Sequence, residues 1–133
     1  MKKGFVTDIE NAARENENFR KVLYTGAYSQ LVLMNLKPGE EIGAEVHQNV
    51  DQFFRFEQGL GKIVIDGNEY AVEEDFAAIV PAGVNHNVIN TGAENLKLYT
   101  IYSPAEHRDQ VIHQTKDEAI ADQSDHFGGK TTE

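Results

Sequence analysis

The chain has no cysteine and no tryptophan, and its 133 residues include only three prolines and two methionines. Without thiols there is no disulfide, no thiolate metal ligand and no cysteine nucleophile. That composition suits a reducing cytosol, and a cytoplasmic location is expected. Seven Phe and five Tyr must supply the bulky core and pocket side chains. Cations are scarce as well: 12 Lys and Arg face 22 Asp and Glu, a formal net charge of −10. Nucleic acid and anionic membranes are bound through basic patches, so neither is expected as a partner. Long apolar runs are also missing. No stretch approaches the roughly 18 residues that cross a bilayer, and Asp8, Glu10 and Asn11 arrive too early for a signal-peptide core.

What is present reads as one domain over 1–133, with a barrel core at about 22–104, an arm at 1–21 and an extension at 105–133. Residues 7–21 are polar and acidic and suit a short helix or an arm packed on a neighbour. From Val22 onward, short runs rich in Val, Ile, Phe and Tyr alternate with turn residues, the pattern of antiparallel strands. Leu31–Leu36 is a buried-strand candidate closed by Pro38-Gly39. Between Gln52 and Glu57 the side-chain period of two puts Gln52, Phe54 and Phe56 on one face and Phe53, Arg55 and Glu57 on the other. Asp66-Gly67 predicts a tight hairpin, and Thr91-Gly92 another turn. After Pro104 the β character ends, and Lys116–Asp122 suits one or two helical turns. Strands at this spacing predict an all-β sandwich or barrel.

Glu45 and His47, two apart on a predicted strand, share a face. Gln52 breaks that period, which implies a turn or bulge around Asn49–Asp51 before the inward face restarts. His86 opens another strand just beyond a Pro-x-Gly turn. One carboxylate, one amide oxygen and two imidazoles are thus candidates to converge in a barrel mouth, where small-molecule sites form.

The order and spacing of these residues resemble the two motifs of the cupin superfamily. Gly39, Glu45, His47, Gln52 and Gly59 occupy the fixed positions of the first, with Glu45 standing for a His and Gln52 for a Glu. Asp75, Pro81, Gly83, His86 and Asn90 occupy those of the second, with Asp75 standing for a Gly. The resemblance spans about residues 30–104 and implies a jelly-roll β-barrel (a double-stranded β-helix) binding one divalent transition metal, Fe, Mn, Ni or Zn. The implied ligands are Glu45, His47, Gln52 and His86, which would include the two-His, one-carboxylate set of non-heme iron enzymes.

Single-domain proteins of this appearance are often described as mannose-6-phosphate isomerase-like, but a fold does not fix a reaction. The expected activity is therefore that of a metal-dependent enzyme on a small oxygenated, sugar-like or carbonyl substrate, with an isomerase or a dioxygenase as the reaction types. The alternative is a non-enzymatic small-molecule binder. Asn90, Tyr102 and His107 are the candidate substrate-binding residues, and no catalytic residue is assigned. The resemblance also implies a homodimer, since related proteins pair through sheet edges and exchanged N-terminal arms.

Overall fold

The computed structural model describes all 133 residues and consists of two antiparallel sheets facing one another, with two short helices outside. The strands are β1 (Arg20–Thr25), β2 (Gln30–Leu36), β3 (Asp51–Gln58), β4 (Gly61–Ile65), β5 (Asn68–Val72), β6 (Ala77–Val80), β7 (His86–Asn90), β8 (Leu96–Ser103) and β9 (Ile112–His113). One sheet runs β6-β3-β8-β2-β1-β9 and the other β5-β4-β7. The helices are α1 (Ile9–Glu15) and α2 (Lys116–Ala121), and neither is long and apolar enough to cross a membrane.

Between the sheets lies a core that includes Val32, Met34, Leu36, Phe54, Phe56, Ile63, Val88 and Leu98. Phe54 and Phe56 alternate inward on β3, as the period-two reading expects, and their rings stack 6.4 Å apart. Asp66 and Gly67 both take positive φ, 50° and 80°, and close the β4–β5 hairpin as a two-residue turn.

Leu33, Asn35 and Lys97 point away from this core yet are buried, because α1 packs over β8, β3 and β2. Asp8 caps that helix by accepting from the Asn11 N–H. Lys97 Nζ donates to the Arg14 carbonyl at 2.7 Å and to Glu17 at 3.0 Å. The segment that suited a helix or an arm on a neighbour is therefore a helix seated on its own sheet.

Two features depart from the sequence reading. The residues around Glu45 and His47 are not a continuous strand. Glu40–Glu45 runs beside β7 through separate bridges, Glu41 opposite Ile89 and Glu45 opposite His86. Between them Gly43, at φ 106°, donates to the Asn87 side chain instead. The chain also regains β structure beyond Pro104: Ile112 and His113 pair with Lys21 and Arg20 as an edge strand. Two residues are too few to leave a periodic signal.

Candidate metal centre

Glu45 and His86 are brought face to face by reciprocal backbone hydrogen bonds, N–H to C=O at 2.9 and 3.0 Å. His47 follows two residues later, and its carbonyl accepts from the Gly83 N–H at 2.9 Å, so the Pro-x-Gly turn is locked onto the first motif. The register of β3 against β8 sets Gln52 beside Tyr102, and that against β6 sets it opposite Val80. One donor atom from each of Glu45, His47 and His86 falls within 4.8 Å of the others.

Hydrogen bonding decides which way these groups face. Thr100 Oγ1 donates its only proton to the Phe53 carbonyl at 2.8 Å, so it must accept from Gln52 Nε2 at 3.0 Å. That turns Gln52 Oε1 toward His86 Nε2, at 3.1 Å. His86 Nδ1 lies 3.0 Å from the Val84 carbonyl, and His47 Nδ1 lies 3.3 Å from a Glu106 carboxylate oxygen. Each Nδ1–H is thereby committed to an acceptor, the outer arrangement that orients metal-bound imidazoles. Both Nε2 lone pairs then face inward, with His47 Nε2 3.1 Å and His86 Nε2 4.0 Å from Glu45 Oε2.

Four acceptors confront one another with no donor between them, and a cation or added protons must separate them. Two donors held about 2.1 Å from one ion lie about 3.0 Å apart at a right angle and at most about 4.2 Å apart. The separations of 3.1, 3.1 and 4.0 Å fall in that range, and the 4.8 Å limit exceeds it by a shift that side chains can make. The donor set fits a divalent metal. In its absence a proton does part of the work. Burial pulls the His47 imidazole down, but its bonds to Glu106 and Glu45 outweigh that and hold it at about 9. Burial likewise pushes Glu45 up, and the hydrogen bond and charge of His47 bring it below the ordinary carboxylate value.

Glu45 and His47 help line a cavity of about 270 Å³ that is also lined by Arg20, His107 and Asp125. His107 is buried and donates Nδ1–H to Asp125 at 2.8 Å, so its Nε2 accepts from the Tyr102 hydroxyl at 3.1 Å. Burial lowers the His107 imidazole against the opposing pull of Asp125, and burial raises the Tyr102 phenol. The Tyr102 ring meets His47 edge-on at 5.8 Å.

Of the sequence candidates, Glu45, His47, Gln52, His86, Tyr102 and His107 come together, and Asn90 does not. Its amide donates to the Leu36 and Glu94 carbonyls and accepts from the Gly92 N–H, which pins the turn after β7 away from the cavity. Arg55 points outward, paired with Asp75 at 3.0 Å, as the face assignment requires. Arg20, Glu106 and Asp125 are absent from the sequence reading. Arg20 had a signal: it alternates with Val22, so an inward-facing cation could have been inferred had the strand been begun two residues earlier. Glu106 and Asp125 lie in irregular segments that carry no such pattern.

Comparison with known proteins agrees with this architecture. The family model described as a cupin domain matches residues 32–102. An uncharacterized Bacillus subtilis protein, YrkC, is 46% identical over 125 residues, which cover 90% of this chain and 67% of YrkC. The crystal structure of BH2720 from Bacillus halodurans superposes with a TM-score of 0.88 at 41% identity, covering 90% of this chain and 95% of that one. A Thermotoga maritima structure described as a predicted oxalate decarboxylase shares the fold at 20% identity and a TM-score of 0.55, over 56% of this chain and 65% of the other. The family model covers more than half of the chain, and the chain belongs to the cupin superfamily.

Proposed function

We propose that this cupin is a divalent-metal-dependent enzyme acting on a small oxygenated molecule of sugar-like or carbonyl chemistry. Glu45, His47 and His86 would hold the ion, with Gln52 Oε1 as a neutral fourth donor. The observation that carries the reading is the cluster of four inward-facing acceptors at the edge of a 270 Å³ cavity. A bound divalent ion would supply Lewis acidity toward a substrate oxygen. The chain's own groups do the rest. Glu106 and the Val84 carbonyl hold the two imidazoles in place. His107, on the cavity lining, is the candidate substrate contact, its tautomer fixed by Asp125 and its Nε2 held by the buried Tyr102 hydroxyl.

One feature favours a dioxygenase over an isomerase within this reading: the two-His, one-carboxylate set is that of mononuclear non-heme iron oxygenases. Elemental analysis of protein purified without chelator or affinity metal, beside the His47→Ala/His86→Ala double variant, tests the site. Near-stoichiometric transition metal that is absent from the variant is expected. Turnover of sugar phosphates, and oxygen consumption with small carbonyl compounds, then separate the reaction types. No metal in either protein, and none taken up anaerobically, would reject the proposal and favour a non-enzymatic binding module.

A further inference from the structure

Arg20 opens β1 with its side chain turned into the barrel and 8% exposed. A guanidinium carries five N–H donors, and the protein uses few of them. Nη1 donates to His113 Nδ1 at 3.2 Å, and that ring nitrogen is free to accept because His113 Nε2–H goes to Asp122 at 2.9 Å. The nearest carboxylate, Asp125 Oδ2, is 3.9 Å from Nη1, beyond hydrogen-bonding distance, and is itself taken by His107 at 2.8 Å. Nε is buried with no partner at all. A largely desolvated cation with unfilled donors therefore lines the same cavity as Glu45 and His47. Nε is shut off from the cavity, so an incoming acceptor meets the terminal nitrogens, where Nη1 keeps one N–H and Nη2 both.

Charge limits what that acceptor can be. The cavity wall includes Glu45, Glu106, Asp122 and Asp125 against Arg20 and Lys116, an excess of two negative charges that one divalent ion would cancel. With that ion bound either anion meets a neutral site, which a monoanion leaves at −1 and a phosphate dianion at −2, so the monoanion is the better matched. Planar carboxylate is also the shape that a guanidinium fork matches in two parallel hydrogen bonds.

We propose that Arg20 is the anchor of a carboxylate subsite, and that the substrate is a small monocarboxylate whose adjacent oxygen is directed toward the Glu45, His47 and His86 cluster. The inference rests on the metal-site reading for the second half of the ligand, and on Arg20 alone for the first.

The test is calorimetric titration of Zn²⁺-loaded protein with lactate, with its neutral analogue 1,2-propanediol and with inorganic phosphate. Lactate is expected to bind about tenfold or more tightly than the diol, the range of a charge-assisted hydrogen bond. Arg20→Gln should abolish that ratio while leaving zinc content unchanged. Equal binding of lactate and diol, a ratio that survives in Arg20→Gln, or phosphate binding tighter than lactate would each overturn the proposal. Should Arg20→Gln not fold, Arg20→Lys keeps the charge without the planar fork and must lower the ratio; an unchanged ratio overturns the subsite. Failure of the wild type to take up zinc strikes the metal reading instead. The subsite then stands or falls on the same lactate-to-diol ratio in the metal-free protein.

Discussion

His47 shares its imidazole between two carboxylates, Glu45 at 3.1 Å and Glu106 at 3.3 Å, and this couples metal binding to pH. Its folded value of about 9 stands above the ordinary 6.5. The metal-free fold therefore draws stability from this group that is fully present below pH 6.5 and is lost as pH rises through 9. A metal must displace that proton, so its apparent affinity should climb about tenfold per pH unit between 7 and 9 and then level off. Titrations in buffers of different ionisation enthalpy would count the released proton, and a flat profile would exclude His47 as a ligand. Gln52 offers a second residue-scale prediction. Gln52→Glu adds the carboxylate of the family motif but sets a lone pair against Thr100 Oγ1, whose proton is already given to Phe53. The metal-free variant should lose about 1–3 kcal/mol, the cost of a buried unpaired polar group, yet gain metal affinity. Denaturant unfolding with and without metal separates the two effects.

At the scale of elements, the motif positions set the turns that aim the ligands. Gly59 takes φ 97°, and a Cβ there would sit 2.7 Å from the Asn95 carbonyl oxygen. Gly67, at φ 80° in the β4–β5 hairpin, would meet nothing within 4 Å. Alanine at Gly67 should therefore cost only its backbone strain, about 1 kcal/mol, and at Gly59 about 2 kcal/mol or more as backbone must also move. Parallel chemical denaturation of the two variants checks the difference. Asp75 shows why the second motif opens with glycine: the position takes φ 72° even with aspartate in it. Here the Arg55 ion pair at 3.0 Å holds the substitute side chain. The segment carrying Glu45 and His47 was legible as to face but not as to form. Their spacing gives the shared direction, whereas the break at Gly43 depends on the Asn87 side chain, 44 residues away.

For the whole molecule, metal binding and folding should be linked. A ligand at a hundredfold its Kd adds about 2.7 kcal/mol to the native state, so thermal melts of wild type should rise by roughly 10 °C for a domain of this size. The His47→Ala/His86→Ala variant should show no rise. The homodimer inferred from family resemblance is a proposal at this scale too. An apolar groove along β4, β5 and β6, lined by Tyr70, Phe76 and Ile79 among others, gives it a candidate surface. Light scattering at working concentration should return twice the 14.9 kDa chain mass, and a monomer mass rejects it.

By itself the sequence determined the all-β class, the inward face of β3, the hairpin at Asp66-Gly67 and the candidate ligands, because period two, turn chemistry and motif spacing are local properties of the chain. It did not determine the rest of the cavity lining. Arg20, Glu106 and Asp125 are separated from the ligands by tens of residues and reach them only when β9 pairs with β1 and the tail folds back. Phe127 N–H then bonds the Glu106 carbonyl, and Arg108 N–H bonds Asp125. Asn90 stands at a motif position but is spent on its own turn. Which polar groups face the cavity is settled by long-range pairing that satisfies some donors and leaves others open, and only the tertiary structure decides that.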